Sequence, residues 1–214
     1  MEVFQGLYAF IWRDNRANNC NTYFIGGSKK IIVDPGYSNL FTHVDTRLAR
    51  IPVKVDEIDV VIATHGHPDH FEAAALFPDT ARFAMGRDEY RLLKEMLGKY
   101  MEIPEPDFFL HEGDVTIGDE TFQIIPTPGH TPGEISIYWP DKKTLFTGDV
   151  VFRESIGRTD LPGGDGKQLK ESIKKLALLD VEYLLPGHGE VISGKDAVEK
   201  NFKMIEQAWF SYLG

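Results

Sequence analysis

The chain has 214 residues, 42% of them hydrophobic, with 23 Lys+Arg against 33 Asp+Glu and a formal charge of −10. That much apolar material can build one large domain or two small ones, which argues against disorder, and the acidic balance argues against a nucleic-acid backbone as principal partner. A single cysteine, Cys20, excludes an intrachain disulfide framework and fits a reducing compartment. No apolar run approaches the ~18 residues of a membrane span, and Met1-Glu2-Val3 lacks the basic start of a signal peptide, so a cytoplasmic setting is expected.

Val3 to Trp12, Cys20 to Ile25 and Lys30 to Val33 are rich in β-branched and aromatic residues and read as three strands, the last running into Asp34-Pro35-Gly36. From Asn39 to Arg50, apolar residues at Leu40, Phe41, Val44 and Leu48 predict a helix, and Ile58 to Ala63 is the short continuous apolar run of a buried strand. Helix, strand and helix are expected over Pro68 to Phe77, Ala81 to Met85 and Arg87 to Tyr100. The second half opens with short strands at 108–110, 115–117, 122–125, 135–138 and 144–146, separated by Gly, Pro and Asp. A Gly-rich loop from Ile156 to Gly166 then precedes a helix over Gln168 to Leu179. One last strand at Tyr183 to Leu185 leads to a closing helix over Asp196 to Trp209, striped by Val198, Phe202, Ile205 and Trp209. No linker, repeat or charge block divides the chain, so residues 1–214 are expected to form a single domain of two similar layers.

The seven histidines are not evenly placed. Thr64-His65-Gly66-His67-Pro68-Asp69-His70 follows the buried-strand candidate and packs three imidazoles and a carboxylate into one turn. Imidazole nitrogen and carboxylate oxygen are the ligand types of zinc, iron and manganese. Three further Gly/Pro-flanked sites follow strands: Pro128-Gly129-His130-Thr131-Pro132-Gly133, Phe146-Thr147-Gly148-Asp149 and Pro186-Gly187-His188-Gly189. A lone histidine is usually a surface or satisfied core residue, but five on strand-end loops, where catalytic groups concentrate, reverse those odds. With Asp69 and Asp149 they make seven candidate ligands, more than one tetrahedral zinc needs, and two ions sharing a carboxylate would use them all. His43, in a helix, and His111, in a loop, fall outside the pattern and are expected to face solvent, while Cys20 is expected to fill core.

This set resembles the metallo-β-lactamase fold superfamily, whose His-x-His-x-Asp-His, His, bridging Asp and final His appear here in order at His65, His67, Asp69, His70, His130, Asp149 and His188. The early Asp34-Pro35-Gly36 also matches. The resemblance implies an α+β fold, a four-layer αββα sandwich of two mixed β-sheets flanked by helices, with the site at one edge. It also implies that His65, His67 and His130 bind one divalent ion, that Asp69, His70 and His188 bind a second, and that Asp149 bridges them. Two such cations can hold a bridging water and lower its pKa from ~15.7 toward ~7, giving a hydroxide nucleophile. Asp69 is the candidate to orient it, and Asp34 the candidate carboxylate behind a ligand loop. Zinc is the first choice of metal, with iron or manganese open.

Within that family, Asp149 counts against a true β-lactamase, and His67 with the lack of a flavin domain counts against a flavin-linked diiron reductase. The stretch Ser155-Ile156-Gly157-Arg158-Thr159-Asp160-Leu161-Pro162-Gly163-Gly164-Asp165 resembles short glyoxalase II-like proteins, which hydrolyse acyl-glutathione thioesters, and persulfide dioxygenases carry a related segment. Arg158 reads either as an anion-binding group or as half of a salt bridge within its loop, and Gly163-Gly164 as turn chemistry. The expected activity is binuclear metal-dependent hydrolysis of a small, anionic thioester or acyl ester, with no nucleic-acid or membrane partner and homo-oligomerisation open. The alternative is a mononuclear iron persulfide dioxygenase using His65, His130 and Asp149 as a facial triad. A third reading is a metal-stabilised module without turnover.

Overall fold

The stretch read as one strand from Val3 to Trp12 folds as two, β1 (Glu2–Phe4) and β2 (Leu7–Phe10), in a computed structural model that describes residues 1–214. They pair antiparallel, and β2 pairs in turn with β3 (Thr22–Ile25) and β3 with β4 (Ile31–Val33). From β4 the pairing becomes parallel through β5 (Val60–Ile62), β6 (Arg82–Gly86) and β7 (Phe108–Leu110), with Ile31 opposite Val60 and Val61 opposite Phe83. Parallel strands need crossovers, and helix α1 (Thr42–Leu48) lies between β4 and β5, with α2 (Pro68–Phe71) between β5 and β6 and α3 (Arg87–Leu97) between β6 and β7. The helix expected over Pro68 to Phe77 is therefore shorter: α2 gives way to a 3-10 turn, Glu72–Leu76. Val60, Val61 and Ile62 are all buried, as their unbroken apolar run requires of a strand covered on both faces.

A second mixed sheet runs in the order β15-β14-β11-β10-β9-β8. Its strands are β8 (Gly113–Ile117), β9 (Glu120–Pro126), β10 (Ile135–Trp139), β11 (Thr144–Gly148), β14 (Tyr183–Pro186) and β15 (Ile192–Ser193). Between β11 and β14 stand a small hairpin, β12 (Val151–Phe152) with β13 (Ser155–Ile156), and helix α4 (Gly166–Leu176); α5 (Lys195–Trp209) follows β15. The hairpin and β15 are two-residue strands, too short to carry a periodic signal. Pro162-Gly163 forms the centre of a turn closed by Gly164 N donating to the Leu161 carbonyl at 2.9 Å, with Gly163 at φ 90°, so Gly163-Gly164 is turn chemistry.

Residue contacts divide the chain into two compact units, one of Met1–Leu110 with Ile117–Glu120, the other of His111–Thr116 with Thr121–Gly214. Each has its own core. In the first, Val44 and Leu48 of α1, Phe71 of α2 and Tyr90 and Leu93 of α3 pack with Ile32, Val61, Phe83 and Met85. In the second, Leu169, Ile173 and Leu176 of α4 and Val198, Phe202 and Ile205 of α5 pack with Leu145 and Leu184. Burying one such aliphatic or aromatic side chain is worth ~1.5–3 kcal/mol, so either cluster can hold its ligand loops against local fraying. Two mixed sheets flanked by helices are the α+β architecture expected. No helix is long and apolar enough to cross a membrane.

Candidate metal centre

The ligand loop of the first unit begins where β5 ends. His65 is buried, His67 half-buried, and Pro68 occupies the first turn of α2, where its fixed φ and missing N–H cost nothing, so Asp69 and His70 follow at once on helical geometry. The ring nitrogens His65 Nε2 and His67 Nδ1 are 2.9 Å apart, and His70 has ligand-type atoms within 4.8 Å of those of both His65 and Asp69. Asp34, just past β4, is buried and set behind this loop. Its Oδ1 accepts the Thr64 backbone N–H at 2.8 Å, and its Oδ2 accepts the Thr64 hydroxyl at 2.9 Å and the His70 Nδ1–H at 2.9 Å.

Those bonds decide tautomers. A carboxylate only accepts, so His70 carries its proton on Nδ1 and presents Nε2 as the lone-pair nitrogen. Thr64 Oγ1, having given its proton to Asp34, accepts from His65 Nδ1 at 3.2 Å, and His65 likewise presents Nε2. Asp34 itself sits in the left-handed region at φ 54°, which Asn and Asp tolerate better than other non-glycine residues, and its carbonyl accepts the Thr22 hydroxyl at 2.7 Å and the Cys20 thiol at 3.4 Å. Cys20 is buried, so it fills core while closing this bond. Asp34→Ala is expected to cost about 3–5 kcal/mol, because it strands three buried donors and strains the backbone. Asp34→Asn, which keeps the backbone preference and one acceptor, should cost visibly less, yet weaken metal binding ~10–100-fold by disturbing the His70 tautomer. Calorimetry and chelator competition on the pair check this; equal melting temperatures for the two variants would refute it.

The second unit carries its own set. Asp149, at the end of β11, is buried, and its Oδ2 lies 3.5 Å from His130 Nε2 and 3.4 Å from His188 Nε2. His130 Nδ1 donates to the Arg158 carbonyl at 2.7 Å, which again leaves Nε2 as the lone-pair nitrogen facing the carboxylate. His188 follows β14 and stacks edge-on to Phe152 with centroids 5.8 Å apart. Two donor atoms on one zinc, each ~2.0–2.2 Å from it at a tetrahedral angle, lie about 3.3–3.6 Å apart, so both spacings suit shared coordination. The donor set fits divalent metal.

Three residues that the motif reading passed over hold these loops. Glu89, 2% exposed in the first turn of α3, accepts the Gly66 N–H at 2.8 Å, and Glu134, fully buried, accepts the Asp149 N–H at 2.7 Å. Asn18 Nδ2 donates to Asp69 Oδ2 at 2.7 Å. Burial first, and then the charges of Asp69 and Glu72, push the Tyr37 phenol above its ordinary range and keep it a neutral hydroxyl. Arg158 places its guanidinium in an exposed two-bond pair with Asp160, at 2.9 and 2.8 Å, while its carbonyl holds His130. His111 is exposed as expected, but His43 is not solvent-facing: its Nε2 donates to the Phe10 carbonyl at 2.8 Å and its ring meets Trp12 edge-on at 5.1 Å. Helical position alone could not show the second layer that covers it.

A family model described as the metallo-beta-lactamase superfamily matches residues 15–188. The chain belongs to the metallo-β-lactamase superfamily. A probable metallo-hydrolase of Methanocaldococcus jannaschii is 34% identical over 185 residues, covering 80% of this chain and 88% of the relative. Hydroxyacylglutathione hydrolase GloC of Haemophilus influenzae is 33% identical over 189 residues, covering 80% and 85%. Among solved structures, the BLEG-1 B3 metallo-β-lactamase is similar with a TM-score of 0.74 and 27% identity, covering 96% of this chain and 99% of that one. A protein crystallised in a di-iron-bound form is similar with a TM-score of 0.68 and 27% identity, covering 91% and 95%. This chain is thus a superfamily metallohydrolase whose histidine and aspartate groups suit divalent metals.

Proposed function

We propose that the chain is a binuclear metal hydrolase that cleaves a thioester or related small acyl ester, in the manner of hydroxyacylglutathione hydrolases. The observation that carries this reading is the single Asp149 oxygen with an imidazole nitrogen 3.5 Å away in His130 and another 3.4 Å away in His188. An oxygen so placed suits a carboxylate shared by two ions. In this reading His65, His67 and His130 hold one ion, Asp69, His70 and His188 the other, and Asp149 serves both, so residues 1–214 act as one functional domain. Bound there, the two cations supply an acidified water and polarise the scissile carbonyl. Asp69 orients the attacking water by accepting its hydrogen bond, while the Nδ1 bonds to Asp34 and to the Arg158 carbonyl hold His70 and His130 in their ligand tautomers. The guanidinium of Arg158 can take an anionic substrate group only by exchanging it for Asp160. Zinc is the first choice of metal and iron or manganese the others, in a cytoplasmic setting with a small-molecule substrate.

The kinship with GloC, whose name specifies a hydroxyacylglutathione, supports the thioester class. Purification without added metal, metal analysis and a thiol-release assay on an acyl-glutathione thioester test the reading together. About two equivalents of metal are expected, with turnover lost to a chelator and restored by the ion. One iron with oxygen uptake on a persulfide would overturn it in favour of the dioxygenase, and bound metal without turnover on any thioester would overturn the substrate class.

A further inference from the structure

Asp69 lies on a four-residue helix and carries two chemically equivalent carboxylate oxygens. Rotation about its last bond exchanges them. Asn18, 51 residues away in sequence, breaks that equivalence through the 2.7 Å bond from its amide to Oδ2. The segment that presents Asn18 is itself pinned on both sides. Trp12 Nε1 donates to the carbonyls of Asp14 at 3.1 Å and Ala17 at 2.8 Å, and Trp12 N donates to Asn21 Oδ1 at 3.0 Å. Asp14 accepts the Arg16 backbone N–H at 3.0 Å and pairs with its guanidinium at 2.9 and 2.7 Å, which holds its carboxyl down at about 2. Asn19 Oδ1 accepts the Tyr37 N–H at 3.0 Å.

From this we infer that Asn18 is a positioning residue for Asp69: it engages Oδ2 and thereby assigns Oδ1 to the ion and the attacking water. The inference rests on the binuclear hydrolase reading. The chemistry of the donor matters. A lysine or arginine at this place would form an ion pair that competes with the metal for the carboxylate, whereas a neutral amide donates one proton and leaves the full negative charge in place. An aspartate would offer only acceptors and repel Asp69.

Asn18→Ala and Asn18→Asp test it, read by steady-state kinetics on a thioester, by chelator competition for bound metal without substrate, and by melting of the metal-free protein. Loss of a group that orients a ligand costs ~10–100-fold in activity or metal affinity. The expected result is a kcat fall of roughly tenfold for Asn18→Ala and more for Asn18→Asp, with KM within about threefold and the chelator midpoint shifted in the same order. The metal-free melting temperature should stay within about 2 °C, since the bonds from Trp12 and Asp14 remain. Wild-type kcat and chelator midpoints in both variants would overturn the inference, as would a kcat loss that only tracks a fall in metal-free melting temperature. A wild-type protein that binds no metal would overturn the underlying reading instead, which separates the two failures.

Discussion

Under the proposed binuclear reading, Asp149→Ala is expected to reduce bound metal from about two equivalents to one or none and to lower thioester turnover by roughly three orders of magnitude or more. Losing one ion would remove one side of the clamp that holds the water and polarises the scissile carbonyl, and losing both would return the water from a pKa of ~7 toward ~15.7. Asp149 Oδ2 lies 3.5 Å from His130 Nε2 and 3.4 Å from His188 Nε2. The stability readout should separate this from misfolding. A buried carboxylate between two imidazoles contributes little to the metal-free fold, so the metal-free melting temperature of the variant should match that of the parent. The rise on adding metal should vanish, since a ligand at a hundred times its dissociation constant stabilises by ~2.7 kcal/mol and an unbound one by nothing. Asp149→Asn, which keeps the shape and drops the charge, should behave likewise. Two equivalents of metal in either variant would remove Asp149 from the bridging role.

The second large effect is expected from a residue with no side chain. A Cβ built on Gly157 would lie 1.7 Å from the Asp149 carbonyl oxygen and 3.3 Å from His130 Cβ. The first contact is with backbone and cannot be relieved by a rotamer change, so the chain after β13 must move away from the ligand loop. Gly157→Ala should cost about 2–4 kcal/mol, lowering the melting temperature by roughly 5–15 °C. It should also release metal, because the displaced segment carries the Arg158 carbonyl whose 2.7 Å bond fixes the His130 tautomer. Loss of stability and of metal together is the expected pattern. An alanine variant with parental melting and parental metal content would refute the account.

Much of the candidate site was legible because the candidate metal ligands are concentrated in sequence: four of the seven fall between His65 and His70, and the other three each follow a glycine just past a strand. The residues behind them were not legible, and the reason is distance along the chain. Glu89 reaches Gly66 from 23 residues on, Asp34 reaches Thr64 across 30 and Asn18 reaches Asp69 across 51. Each is an ordinary acidic or amide residue until the fold supplies its partner. Only Asp34 announced itself, through the Asp-Pro-Gly turn after β4. In the fold, runs with a strong apolar pattern came through, such as the unbroken β5 and the stripe of α5. What failed was short. Val3 to Trp12 hid a hairpin because Gly6 takes φ 89° within an otherwise strand-like run, and α2 stops at Phe71 although the alanines that follow it favour continuation. Ala73 N bonds the Gly36 carbonyl instead, a long-range acceptor that a local propensity cannot weigh.

Arg158 shows how such a site could diversify. The candidate ligand His130 depends on the carbonyl of residue 158, a group that every amino acid possesses, while the guanidinium lies exposed beside Asp160. Selection for metal retention therefore acts on the path of the backbone and on Gly157, and leaves the side chain at 158 unconstrained by it. Descendants can exchange that arginine for a neutral or acidic residue, and so change the charge displayed beside the His130 loop, without losing the carbonyl that holds His130. The fold separates what must be inherited from what can drift within a single residue.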